Sequence, residues 1–238
     1  MKSIFALALA SLTAAVFAAE PAGYYSRTIF ADDFSGNGFG PRWGHYKSGS
    51  VVKDGIHVGI TPEGSDHSAV DNIKFPGERD LAVSVKFRFT SDKAKSFNVW
   101  FDDKDYKGSH AGHICSISVS STAVNLADAK TGGFDLTGGL YERKKANQLT
   151  DADKKLLAAK AKRIPTTVSL QDWHTLIVRT KGTEVSVQID GKPLGTFESE
   201  GISHATKSLV SLTTNPVDVH YDDFSLKGTG TGPVAAQK

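Results

Sequence analysis

Asp172-Trp-His-Thr-Leu-Ile-Val-Arg-Thr-Lys-Gly-Thr-Glu-Val-Ser-Val-Gln-Ile-Asp-Gly-Lys-Pro-Leu-Gly-Thr-Phe197 is the stretch on which the fold turns. Val185, Val187 and Ile189 alternate with Glu184, Ser186 and Gln188, the period of two expected of a strand with one buried face. Asp190-Gly191 supplies the positive φ angles of a tight hairpin, after which Leu194 to Phe197 return. The segment therefore predicts three short antiparallel strands, the first led by Trp173.

Working outward, strand-like runs recur between Gly, Asp, Asn and Ser clusters. They are predicted near Arg27–Phe34, Val51–Ile60 (bent at Asp54-Gly55), Ser68–Phe75, Leu81–Phe89, Phe97–Asp102, His113–Ser120 and Ala123–Ala127. Beyond the central segment they resume at Ser208–Thr214 and Val217–Lys227. Many short strands with turn signals between them predict an all-β, two-sheet antiparallel sandwich. One stretch breaks the pattern. Thr150 is an N-cap candidate, Asp151 and Asp153 fill a first turn, and a helix is expected to about Lys162, with Pro165 preventing continuation. Leu156 and Leu157 would dock it, while Lys154, Lys155, Lys160, Lys162 and Arg163 make its other side basic. With Tyr141–Lys145 this forms an insert over about 141–165, either a solvated face or a contact for an acidic glycan.

Lys2 precedes an apolar run from Ile4 to Phe17 that is too short for a membrane span and resembles a signal peptide cleaved near Ala18. The expected organisation is a leader over 1–18, a sandwich over 19–227 and a Gly/Thr/Pro/Ala-rich tail over 228–238, in a chain exported to the periplasm or beyond. A formal charge of +2 gives no reason to expect nucleic acid or anionic lipid as partner. Cys115 is the single cysteine, so no internal disulfide is available, and its neighbours Ile114, Ile117 and Val119 predict a buried thiol.

The alternation also sorts candidate site residues. Val83, Val85, Phe87 and Phe89 leave Ser84, Lys86 and Arg88 on the opposite face; Phe97, Val99 and Phe101 leave Asn98, Trp100 and Asp102. If these strands are neighbours, Trp100, Asn98, Asp102, Lys86 and Arg88 form one wall offering an aromatic platform, hydroxyl partners and cations to a sugar. Trp43 and Trp173 are expected to be structural. The loop Asp102 to His113 adds Asp103, Asp105, His110 and His113. His113 or His110 is the candidate base, with Asp103 or Asp105 orienting it or holding calcium or a transition metal; a polar turn satisfying its own backbone is the alternative. Lys107 at a ligand position and the lack of a closing glutamate exclude an EF-hand. His220 and the Asp66-His67 pair are further histidine positions that can approach this face. Asp-Asp-Phe-Ser occurs at 32–35 and 222–225, as metal ligands or as the paired first and last strands.

The Trp173-led strand, the one-sided strand and the Asp190-Gly191-Lys192 turn resemble the second half of a concanavalin-like jelly roll. Together with Phe30–Phe34, Phe101–Asp103, Gly112-His-Ile-Cys115, Asp128-Ala-Lys-Thr-Gly132, Leu149–Asp153 and Asp222-Asp-Phe224, they resemble a secreted concanavalin-like family grouped with family-16-like or 3-keto-disaccharide hydrolase (3-keto-glucoside lyase/hydratase) domains. The resemblance implies a carbohydrate partner, either processed or only bound, the latter as a binding or envelope assembly module. Family-16 glucanases carry their carboxylates in a Glu-x-Asp-x-Glu run, which this chain lacks, and the helical insert departs from the plainer members of the group.

Overall fold

A computed structural model describes residues 23–93, 96–214 and 219–230. The expected leader and most of the expected tail lie outside these residues. Among the described residues fifteen strands run in chain order. They are β1 (Arg27–Asp32), β2 (Trp43–Tyr46), β3 (Val51–Lys53), β4 (Ile56–Gly59), β5 (Ala69–Glu78), β6 (Leu81–Phe89), β7 (Phe97–Asp102) and β8 (His113–Val119). There follow β9 (Ala123–Asp128), β10 (Ala161–Pro165), β11 (His174–Lys181), β12 (Glu184–Ile189), β13 (Lys192–Glu198), β14 (Lys207–Thr214) and β15 (Val219–Gly228). Helices α1 (Leu140–Lys145) and α2 (Asp151–Ala159) lie between β9 and β10. None of the described helices is long and apolar enough to cross a membrane.

All pairings are antiparallel, in two sheets. One runs β13-β12-β11-β6-β15-β4-β3 with β1 on β15; the other runs β10-β9-β8-β7-β14-β5-β2. The core lies between their inner faces, where Phe87, Phe89, Phe97, Val99, Phe101, Cys115, Ile117, Leu176, Val178, Tyr221 and Leu226 are wholly buried. Phe87, Phe89, Phe97 and Tyr221 pack ring to ring at 4.9–6.0 Å, each burying roughly 1.5–3 kcal/mol of apolar surface. Cys115 is among them, and burial pushes its thiol up to about 12, so it is an inert core residue.

The central hairpins form as the pattern predicts, with Asp190 and Gly191 at φ 52° and 73°. Trp173, however, precedes its strand and is 37% exposed. Arg88 lies 4.8 Å over its ring. Trp43 is structural: its ring is buried, and Nε1 donates to Asp32 Oδ2 at 2.8 Å. The two Asp-Asp-Phe-Ser segments meet where β1 pairs β15, Asp32 opposite Phe224, with Phe34 and Phe224 buried inward. An open pocket of about 460 Å³ between them is lined by Asp32, Asp33 and Asp223.

Two elements of the insert differ from expectation. The second helix stops at Ala159, and Ala161–Pro165 becomes the edge strand β10 paired to β9. Its start is as read, with Thr150 and Asp153 exchanging a capping box. Leu156 is 41% exposed rather than docked. Beside the buried Leu140 and the half-buried Leu157, polar contacts fix the insert. Lys160, nearly buried, donates to Ser199 Oγ at 3.2 Å and pairs with Glu200 at 2.5 Å. Arg143 forks onto Asp153 at 2.9 and 2.8 Å, tying α1 to α2.

A second polar group sits inside the sandwich. Asp71 faces inward on β5 beside Ile73 and accepts from His57 Nε2 at 2.9 Å and from His45 Nδ1 at 2.7 Å. His57 and Asp71 are wholly buried among Phe34, Phe39, Trp43 and Tyr221.

Candidate functional site

The outer face of the second sheet carries a polar floor. Trp100 stands opposite Ser116 on β8 and Ser211 on β14, with Asn72 beyond it on β5. In the next row Asn98 lies between Ser118 and Thr213, and that row extends to Asn125 and Arg163. Ser211 and Thr213 are buried at the base of this surface. The outward positions nearest Trp100 and Asn98 are mostly hydroxyls and amides, interrupted by Val70, Ala127 and Leu209, and around the central indole they suit a sugar's hydroxyls and C–H face.

His113 reaches this face through a backbone irregularity. Along β8, Cys115, Ile117 and Val119 point inward, which would send His113 inward as well. The β7–β8 register shifts between Phe101/Cys115 and Asp102/His113, leaving Ile114 as the extra residue. The bulge turns His113 outward beside Asp102. Its Nδ1 then meets Asp102 Oδ1 at 2.7 Å, and its ring lies against Trp100, with centroids 4.3 Å apart and 33° between planes. Asp102 is 2% exposed beneath it. Burial pushes the Asp102 carboxyl above its usual range, against the opposing pull of His113. The other ring nitrogen, Nε2, has no hydrogen-bond partner among the described residues and is the free end of a histidine–carboxylate pair.

The segment after β9 closes one end of the face. Ala129 and Lys130 donate their backbone N–H groups to Ile114 O at 2.9 and 3.0 Å, and Ala129, Leu140 and Ile114 are buried outside the main core. This brings Phe134 edge-on to Trp100 at 5.3 Å and to His113 at 4.8 Å. His110 follows, stacked on Tyr141 at 4.2 Å and 11°, with His113 at 6.3 Å. Burial, then His113 and Lys145, lower the His110 pKa against the pull of Glu142, so this imidazole favours its neutral form. Sequence reading had both histidines but not Phe134; its place under the turn to α1 depends on the loop's backbone hydrogen bonds, which no periodicity encodes.

Three expectations are corrected. Lys86 and Arg88 do not join this wall: β6 lies in the first sheet, so both project from the opposite side of the sandwich, where Lys86 pairs with Asp223 at 2.6 Å and Arg88 meets His220 at 2.9 Å. Asp103 does not orient His113. Its carboxylate points away to His204 at 3.0 Å and Ser208 at 3.2 Å, and Asp102 holds His113 instead. Asp103 and Asp105 do not converge on an ion either, since Asp105 is exposed and pairs with Lys104 at 2.5 Å. Among the described residues no group of three or more His, Cys, Asp or Glu side chains is arranged to hold a metal.

Gly112 sets the approach of the two histidines. Its φ is 74°, and a Cβ there would collide with the carbonyl oxygen of Asp103. Gly112→Ala should destabilise the protein by about 1–3 kcal/mol and move His113 off Trp100, seen as a lower melting temperature and a changed indole fluorescence. An unchanged melting temperature would show that the loop relaxes freely.

No profile of a known protein family matches the sequence, and no curated protein matches it. Solved structures do match in fold. SCLam, a non-specific endo-β-1,3(4)-glucanase from family GH16, aligns with 90% of this chain and 94% of its own at 11% identity and a TM-score of 0.58. The carbohydrate-binding module CBM66 from Bacillus subtilis aligns with 79% of this chain and 96% of its own at 11% identity and a TM-score of 0.51. A sialidase aligns over 88% of this chain at 10% identity and a TM-score of 0.58, and the chain spans 19% of that longer protein. The fold is thus a concanavalin A-like sandwich.

Proposed function

We propose that this protein is an exported carbohydrate-recognising sandwich whose sugar site is the outer face around Trp100, and that His113 allows it to process the bound fragment. The observation that carries the reading is the Asp102–His113–Trp100 unit at the centre of a polar sheet face. The likeness to carbohydrate-active and carbohydrate-binding sandwiches supports it.

The chemistry follows from what the face holds. Retaining or inverting hydrolysis uses two carboxylates flanking the bond, whereas the outward positions of these strands present one, Asp102, buried under His113. A single base suits elimination from a sugar with an acidified C–H, such as a 3-keto oligosaccharide. His113 Nε2 takes the proton from the carbon beside the ketone, and that C–H electron pair becomes a C=C bond. The glycosidic C–O bond breaks, and the departing oxygen receives a proton from the imidazolium. No water is consumed. Tyr141 and His110 border the space in which the sugar ring would sit.

A second reading, a binding module without chemistry, is favoured by the close contact of His113 with Trp100, ring centroids 4.3 Å apart and planes tilted by 33°, where the imidazole serves as packing. One experiment separates them. The purified mature chain is incubated with polysaccharide fragments and 3-keto oligosaccharides, and products are read by mass spectrometry alongside retention on immobilised glycan. Trp100→Ala should weaken retention by about 2 kcal/mol, roughly thirtyfold. For the enzyme, His113→Ala loses product and keeps retention; for the module, no product forms with any variant. Glycan retention that survives Trp100→Ala unchanged would remove this face from consideration.

A further inference from the structure

Charge on this face is unevenly distributed. The outward carboxylate of its strands is buried and engaged by His113, and the remaining outward residues are neutral except Lys74 and Arg163 toward the two edges. At the histidine end, α1 finishes in Arg143, Lys144 and Lys145. Arg143 is committed to Asp153. Lys144 and Lys145 are both exposed, and neither has an ion-pair partner among the described residues. They stay beside the site. Lys144 Nζ lies 5.5 Å from the centre of the Phe134 ring that abuts Trp100 and His113, and Lys145 acts electrostatically on His110. Glu142 stands on the same helix as an exposed opposing charge, and Asp135 is turned back onto its own loop through Gly138 N.

A lysine run on a helix ordinarily faces water, and its usual partners are carboxylates at i−4 or i+4. Here the fold does something different. The Arg143–Asp153 fork and the buried Leu140 fix α1 at the end of the sheet, so its last two cations, though exposed to solvent, also flank the aromatic cluster.

We infer that the saccharide received by this face is anionic, its carboxylate or sulfate groups lying against Lys144 and Lys145 while a ring packs by Trp100. The inference rests on the carbohydrate reading above and names the class of sugar. Arg163 in the Asn98 row supplies a further cation for a longer chain extending across the strands toward β10.

The test is calorimetric titration of the full mature chain with uronate, sulfated and neutral oligosaccharides of equal length, at low and high salt. The double variant Lys144→Ala/Lys145→Ala is run beside the wild type, and circular dichroism serves as the folding control. Uronate or sulfated oligomers should bind, should weaken as salt rises, and should lose on the order of tenfold in affinity in the double variant, with whichever arm binds identifying the anion. Neutral oligomers binding as tightly as anionic ones, with the double variant unaffected, would overturn the anionic assignment and leave the carbohydrate reading standing. Binding of an oligonucleotide as tight as that of the anionic sugar would also overturn it, as a generic polyanion effect. No binding of any oligosaccharide would remove both readings.

Discussion

Replacing Asp71 with alanine is expected to cost roughly 3–5 kcal/mol of stability, because it leaves His57 buried with no partner for either ring nitrogen. For a domain of this size the melting temperature should fall by about 10 °C. The carboxylate joins β5 of one sheet to β4 of the other through His57, and to the edge strand β2 through His45. Its own ionisation reports the same linkage. Burial pushes Asp71 up, but His57 by hydrogen bond and charge, and then Ser50 and His45, more than offset this and hold it at about 2. A carboxyl lowered in the folded state contributes stability above its unfolded pKa of 3.8 and loses it as pH falls toward 2. The contribution is about 2 kcal/mol. Denaturant titrations at neutral pH and near pH 2 should therefore show the gap between wild type and Asp71→Ala narrowing in acid. Equal melting temperatures for the two proteins at neutral pH would mean that the inner cluster contributes nothing.

What the sequence conveyed and what it withheld divide along physical lines. Period-two alternation reports which face of a strand is buried, and it placed Asn98, Trp100 and Asp102 on one outward face correctly. It does not report which sheet a strand joins. Lys86 and Trp100 sit on consecutive strands, yet β6 and β7 cross from one sheet to the other, so residues close in sequence end on opposite sides of the molecule. His113 was legible as chemistry but not as geometry, since a one-residue bulge at Ile114 reverses the direction that alternation assigns. The edge strands β2 and β10 were missed for another reason. Trp43-Gly-His-Tyr46 is too short for a period, and Ala161–Pro165 continues a lysine-rich helix without a helix-ending glycine. Asp71 falls on the core side of its strand, a position where pattern alone expects an apolar residue; only the approach of His57 and His45 accounts for it.

The largest functional effect is expected from Asp102→Asn. In the native pair the carboxylate accepts from Nδ1–H of His113 at 2.7 Å, which leaves Nε2 deprotonated toward the face and able to take a proton. An asparagine amide of the same shape can donate to Nδ1, which moves the ring proton to Nε2 and blocks the base. Turnover of whichever sugar the product screen identifies should fall by about 10²–10⁴. Affinity should change little, because Trp100 and the polar floor are untouched. Stability should also stay within about 1 kcal/mol, since a buried carboxylate whose pKa is raised by burial is exchanged for a neutral isostere. The pH profile distinguishes this positioning role from packing. The Asp102→Asn variant should remain slow at every pH, with an imidazole proton visible by NMR on the opposite nitrogen. Turnover within about threefold of wild type would show that Asp102 merely fills space beneath His113. The base would then have to be sought at His110, whose stacking on Tyr141 and lowered pKa also leave it neutral at the margin of the same face.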